Sequence, residues 1–418
     1  MTTYAIIAAF MLVGAAAVQW AIGSYFEKSF LNKKLTRLPV DQQESAVVIM
    51  SVRGCDPSLK DSLRGVLNQD YAKYSVHVVV DHRTDQAWEF IHELKSEHDT
   101  NNVLHIHEMQ NPSETCSLKC HAIVQALGNV DDQTQYVALL DADVKPHKTW
   151  LAELLGPLQD PTVGGSTGNQ WFEPQASAKF GSLVRSTWNG GSLVLTLFFA
   201  NPWAGSFAMR LKDLKSAGLE GIWRQSVVDD GPIKQAINEI GLKVEFAPSL
   251  IMVNREPCTF AYTNRWVTRM LTWSRLYEKT FFLSVIHAIF SNAVMLANFA
   301  ILFISLWCWS VSGIAISTAA LIASGLICAA SYMGTRRCVK RSCQLRGEEL
   351  EPSTVRRFIE VFWMIAVAHL VYGVSCLKAV LLKQIKWREI TYELTSHNEI
   401  KRLDYQPYAA KVQSKVSI

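Results

Sequence analysis

Four stretches of this chain are almost free of charge, and each is long enough to cross a bilayer. They run from Ala5 to Phe26, Phe281 to Trp309, Val311 to Met333 and Val361 to Leu382. A bilayer core takes about 20 apolar residues of helix. This pattern splits the chain. Residues 1–26 form a first membrane helix, and 27–259 read as a water-soluble domain. Residues 260–280 form an interface helix, 281–382 hold further membrane helices around a basic loop at 334–358, and 383–418 are a tail. A cleaved signal peptide is the alternative for the first stretch, because Ala15-Ala16-Ala17 imitates a cleavage site. The stretch is long, however, and Met1-Thr2-Thr3-Tyr4 carries no side-chain cation, so an uncleaved anchor is expected.

Charge bias sets an expected orientation. Lys28, Lys33, Lys34 and Arg37 follow the first stretch, and Arg336, Arg337, Lys340, Arg341 and Arg346 follow the third. Cytoplasmic loops collect Lys and Arg. Both clusters then lie inside, the N-terminus outside, and the soluble domain in the cytoplasm. The membrane would be a bacterial inner membrane, or Golgi or ER in a eukaryote. Four full crossings place the tail outside, against its own Lys383, Lys386 and Arg388. A re-entrant fourth segment removes the conflict. Net charge of +4 over 418 residues, with no basic arm, argues against nucleic acid. Nine cysteines without C-x-x-C spacing argue against a disulfide framework or a zinc site.

Within the soluble domain, apolar runs at 45–50, 76–80, 102–106 and 136–140 read as strands, and 58–68 has helical periodicity. Strands alternating with helices imply βαβ units and a mainly parallel sheet, hence an α/β fold. Ligands of such sheets bind beyond the carboxyl ends of the strands. Acidic residues stand there: Asp81 and Asp85 after the second strand, and Asp141-Ala142-Asp143 after the fourth. A D-x-D after a buried strand aims two carboxylates at the crevice, where Mg²⁺ or Mn²⁺ is held by carboxylates and substrate phosphates. Alternatively such aspartates cap turns or helices. Asp229-Asp230 precedes a helical stretch, either as a cap or as a general base for a hydroxyl. The loop through Trp203, Gly205 and Ser206 binds an acceptor or only turns tightly between strands. From Phe260 to Tyr277, Trp266, Met270, Trp273 and Tyr277 share helical spacing, while Arg265 and Arg269 line another face. A basic amphipathic helix with Trp suits a membrane interface, and arginine grips phosphate bidentately.

The ordered set resembles the membrane-bound family 2 glycosyltransferases and is most similar to ceramide glucosyltransferases and their bacterial relatives. The resemblance rests on Gly54-Cys55-Asp56-Pro57-Ser58-Leu59, Asn68-Gln69-Asp70-Tyr71-Ala72-Lys73-Tyr74, Gly205-Ser206-Phe207-Ala208-Met209-Arg210, Arg269-Met270-Leu271-Thr272-Trp273 and Ile385-Lys386-Trp387-Arg388-Glu389-Ile390-Thr391-Tyr392. It implies a GT-A fold and a UDP-sugar donor, with glucose the expected sugar. It implies that Asp81 or Asp85 holds the uridine, and that Asp143 with Asp141 holds the divalent cation on the diphosphate. Asp230 is then the acceptor's base, with Arg269 and Trp273 at the donor and Trp203, Gly205, Ser206 and Asp229 at the acceptor. Arg269 and Trp273 match the family's (Gln/Arg)-x-x-Arg-Trp motif, but Thr272 replaces its second arginine. One base and a single displacement imply inversion, and the membrane helices imply a lipid alcohol such as ceramide as acceptor. The rivals are a polysaccharide synthase and an inactive nucleotide- or lipid-binding membrane protein.

Overall fold

The structure, a computed structural model, describes residues 1–175, 177–396 and 399–409. Helix α1 (Thr2–Leu31) opens the chain. Then β1 (Ala46–Val52), α2 (Leu59–Leu67), β2 (Tyr74–Val80), α3 (Gln86–His98), β3 (Leu104–Glu108), α4 (Leu118–Leu127) and β4 (Tyr136–Leu140) alternate. There follow α5 (Trp150–Leu155), β5 (Val163–Phe172), α6 (Phe180–Phe198) and β6 (Ser206–Arg210). Next come α7 (Leu211–Ser216), α8 (Leu219–Trp223), α9 (Ile233–Glu239) and β7 (Lys243–Asn254). The remainder is α10 (Phe260–Tyr277), α11 (Phe281–Trp307), α12 (Val311–Leu345), α13 (Val355–Leu381), β8 (Gln384–Trp387), β9 (Ile390–Ser396) and β10 (Glu399–Arg402). The chain divides into two compact units.

One unit, residues 34–170, 199–252 and 382–418, holds the sheets. The larger sheet has the order β3-β2-β1-β4-β6-β5-β7. β1 pairs in parallel with β2 and β4, and β2 with β3, as the βαβ reading requires. The sequence did not reveal the other half, where β6 runs antiparallel to both β4 and β5. β1, β2 and β4 are buried on both faces because helices cover them, which explains their uninterrupted Val/Ile/Leu runs. α2 presents Leu59, Ser62, Leu63 and Val66 to the core at helical spacing. Leu59, Leu63 and Val66 join Val48, Met50, Val78, Val80, Ile91 and Trp150 in one cluster. The chain runs out from β1 to β2 and β3 on one side and to β4 on the other. The crevice at this reversal, beyond the strands' carboxyl ends, is where such sheets take ligands. Tail strands β8, β9 and β10 form a separate antiparallel sheet within this unit.

The other unit, residues 1–33, 171–198 and 253–381, is helical. Among the described residues, four helices are long and apolar enough to cross a membrane: α1, α11, α12 and α13. α1 and α12 run parallel. Thr2 meets Ser312 at one end, and Arg337 grips Glu27 at 2.5 and 2.9 Å at the other. Their buried faces are mostly small: Ala5, Ala8, Ala16 and Gly23 on α1, and Gly313, Ser317, Ala320, Ser324 and Gly325 on α12. Lipid provides no hydrophobic drive between helices, so small residues that let backbones approach do the packing. α13 behaves differently. Arg357, near its start, donates to Pro174 O at 2.7 Å, and near its end Val380 O accepts from Arg275 at 3.0 Å. α10 spans the residues read as the interface helix, and its Val267 and Leu271 pack with Val184, Phe281, Val371 and Ala379.

Candidate active site

β4 stops at Leu140, and the next three residues carry the D-x-D into the crevice. Asp141 and Asp143 are both partly exposed. α4 begins beside them. Its cap, Ser117, accepts from Cys120 N at 3.1 Å, which fixes where Lys119 points. Lys119 Nζ lies 2.5 Å from Asp141 Oδ1 and 2.9 Å from Asp229 Oδ2. Asp229 is buried, and its carbonyl accepts the Trp223 indole N–H at 2.8 Å. Asp230, partly exposed, accepts from Ala204 N. One lysine thus ties the D-x-D to the second acidic pair, from segments almost 90 residues apart.

The charges explain the titration of the group. Burial raises the Asp229 carboxyl, and the Lys119 ammonium only partly offsets this. Burial together with the Asp229 charge pushes Asp230 up to about 7. For Lys119, burial works against the charge, but Asp141 and Asp229 outweigh it and hold the ammonium above the ordinary lysine range. A carboxyl poised near neutrality is suited to take a proton.

The Trp203–Ser206 loop closes on the same place. Asp141 N donates to Gly205 O at 3.3 Å, and Trp203 N to Thr167 Oγ1 at 2.9 Å. A Cβ at Gly205 would lie 2.2 Å from the Trp203 ring and 2.8 Å from Asp141 Oδ2, so only glycine fits there. Ser206 is fully buried, and its hydroxyl accepts the Trp150 indole N–H at 2.9 Å, bracing the loop from beneath.

A second polar cluster stands at the ends of β1 and β2. Asp85 is the α3 cap: its oxygens accept from Ala87 N at 3.0 Å and Gly54 N at 2.7 Å. Burial raises its carboxyl against the pull of those two amides. Gly54 adopts φ of +80°, a conformation that favours glycine. Asp81 is fully buried and ion-paired to Arg53. Its Oδ2 also accepts from Tyr408 N at 2.9 Å, while Oδ1 is buried with no hydrogen-bond partner among the described residues. Arg388 closes on Asp56 through two bonds, at 2.9 and 2.5 Å.

Arg269 and Trp273 lie on α10 in the helical unit. Thr272, standing where the resembled motif has arginine, is fully buried and donates to Thr268 O at 2.8 Å within its own helix. The sequence reading missed Lys119, Arg53, Tyr405 and Tyr408. A single lysine two residues past a serine carries no motif, and Tyr405 and Tyr408 lie more than 320 positions from Asp81, which they meet.

A mixed seven-stranded sheet with carboxylates beyond its parallel strands, joined to membrane-length helices, is the GT-A architecture of glycosyltransferases that use nucleotide sugars. The chain belongs to glycosyl transferase family 21, the ceramide glucosyltransferase type, whose profile matches residues 8–400. It is similar to the mannosyltransferase PcManGT from Pyrobaculum calidifontis, solved with GDP-Man and Mn²⁺. That pair is 17% identical over 90% of this chain and 98% of the other, with a TM-score of 0.48. It is also similar to the glucosyl-3-phosphoglycerate synthase of Mycobacterium tuberculosis, solved with Mn²⁺, UDP and glucosyl-3-phosphoglycerate. There the identity is 12% over 56% of this chain and 84% of the other, with a TM-score of 0.37. No curated protein sequence matches the chain.

Proposed function

We propose that this glycosyltransferase moves a hexose, glucose, from a UDP-sugar to the hydroxyl of a membrane lipid such as ceramide or a related lipid alcohol, with inversion. The carrying observation is the single cluster of Asp141, Asp229 and Asp230 around Lys119, with the Gly205 loop against it. Asp230 is the base: it is partly exposed, and a raised carboxyl accepts the acceptor's proton near neutral pH. Asp229 is too deeply buried to meet the acceptor and instead holds Lys119. Lys119 places a fixed positive charge where the leaving diphosphate develops charge. Trp203 and Gly205 shape the acceptor side. Asp81 receives the base of the nucleotide, favoured over Asp85, whose two oxygens are committed to backbone amides. Arg269 and Trp273 are assigned to the donor on the family motif alone.

The donor set fits a hard cation. Among the described residues, no three acidic, His or Cys groups form a ready-made cage. Mg²⁺ and Mn²⁺ commonly sit on one or two carboxylates and complete their shell with substrate phosphate and water. Asp141 and Asp143 would hold the ion, which when bound neutralises the diphosphate oxygens.

The layout follows by parity. Residues 382–409 share a unit with 34–170, and Arg388 pairs with Asp56, so both lie on one side of the membrane. Between them the chain must cross an even number of times. α11 and α12 supply two crossings, so α13 does not add a third. Charge bias makes that side the cytoplasm.

The test uses membranes carrying the chain, labelled UDP-glucose, Mn²⁺ and a panel of ceramide and lipid alcohols. Mass spectrometry should find one hexose added per lipid, and Asp230→Asn should remove the product. A ladder of hexoses would instead mark a polysaccharide synthase. No transfer from any sugar nucleotide would refute the reading.

A further inference from the structure

We infer that the C-terminal strap, Tyr405 to Tyr408, is a built-in competitor that must leave Asp81 before the base of the donor nucleotide can bind. This rests on the proposed role of Asp81 as the base-binding carboxylate.

Asp81 is fully buried, and the strap meets it at both its carboxylate and its backbone carbonyl. Tyr408 N donates to Asp81 Oδ2 at 2.9 Å, and the Tyr405 hydroxyl donates to Asp81 O at 3.3 Å. Thr84 Oγ1 donates to Tyr408 O at 3.0 Å, and Arg53 Nη2 to Gln406 O at 3.1 Å. The Tyr408 ring rests on Gly54 so closely that a Cβ there would sit 3.0 Å from it. The Arg53 guanidinium lies 5.9 and 5.3 Å from the Tyr405 and Tyr408 ring centres. The backbone N–H and the flat ring that the strap brings to Asp81 are what a nucleobase brings: an in-plane N–H donor and a π face. With the strap in place neither carboxylate oxygen of Asp81 is exposed, so the base reaches it only after the strap has left.

The strap also has the features of a removable segment. It carries no regular secondary structure, Gln406 and Pro407 are exposed, and Tyr405 and Tyr408 are only partly buried. It is anchored upstream by the tail sheet through Arg388–Asp56 and through Arg402, which donates to Pro112 O at 2.7 Å. Release of 405–408 therefore leaves the rest of the tail in place. A site open for only a fraction of the time binds its ligand more weakly by that fraction.

The test measures UDP and inorganic pyrophosphate binding to the detergent-solubilised chain with Mn²⁺ present. A chain ending at Asp404 should bind UDP about ten-fold more tightly, with Tyr408→Pro, which removes the donating amide, giving part of the gain. Pyrophosphate, which has no base, should bind all forms alike. In the full chain, the Tyr408 amide should be protected from hydrogen exchange and lose that protection when UDP is added. Weaker or unchanged UDP binding by both variants, or Tyr408 protection that UDP leaves intact, would overturn the strap. Asp81→Asn in the chain ending at Asp404 tests the underlying reading separately: unchanged UDP affinity there removes Asp81 as the base ligand, whatever the strap does.

Discussion

Replacing Lys119 by methionine keeps the length of the side chain and removes the one cation between Asp141 and Asp229. The Asp229 side chain is 2% exposed and that of Asp141 is 26% exposed, so one carboxylate is left desolvated and the other partly wet. Breaking a buried pair from one side costs about 3–5 kcal/mol. The exposure of Asp141 places the expected loss at the lower end, about 3 kcal/mol, or about 6–12 °C in Tm for a unit of this size. The deficit should depend on pH. A carboxyl raised in the folded state keeps its proton longer there than in the unfolded chain, so stability falls as pH rises between its unfolded and folded values. Asp229 and Asp230 are both raised, Asp230 to about 7, and Lys119 restrains both. Its removal should therefore cost most above neutrality and less in mild acid. Intrinsic tryptophan fluorescence is a suitable readout, since Trp223 hydrogen-bonds the Asp229 carbonyl. A variant that melts with the wild type at about pH 7.5, or whose deficit is the same at about pH 5.5, would refute the coupling.

Gly205→Ala should reduce transfer on the order of 100-fold while the fold survives, because its methyl group collides with Trp203 and Asp141; wild-type kinetics would reject the crowding. Glu173→Gln should destabilise the helical unit by about 3 kcal/mol, since Arg336, whose side chain is 2% exposed, would lose its carboxylate; thermal melting of the purified protein checks this. His77 is held down to about 4 by burial and by its neighbours His105 and His107. The unfolded chain takes up this proton near pH 6.5, so His77 contributes a loss of stability as pH falls from there towards 4. His77→Asn should flatten that acid limb in chemical denaturation, and an unchanged slope would exclude His77 as its source.

The periodicities that the sequence displays are local, and they came through with little change. The runs at 76–80 and 136–140 became cores of β2 and β4, and 260–277 is α10 to the residue. Charge-free length marked four helices because bilayer thickness alone sets that requirement. The D-x-D was legible because it directly follows a buried strand. What a linear pattern does not carry is which distant side chain answers a charge. Lys119 meets Asp229 because α4 and the loop before α9 converge at one end of the sheet, and no spacing encodes that convergence. The same holds for α13, which is apolar enough to cross the membrane, yet its two ends are tied by Arg357 to Pro174 and by Arg275 to Val380. It holds most for the tail, which reads as a polar extension until Arg388 finds Asp56 and Tyr408 finds Asp81. Hydropathy and strand-end chemistry, properties of neighbouring residues, thus sufficed for the class of protein. The partners of its buried charges were decided by packing, because desolvated ions must be matched in space wherever along the chain the match happens to lie.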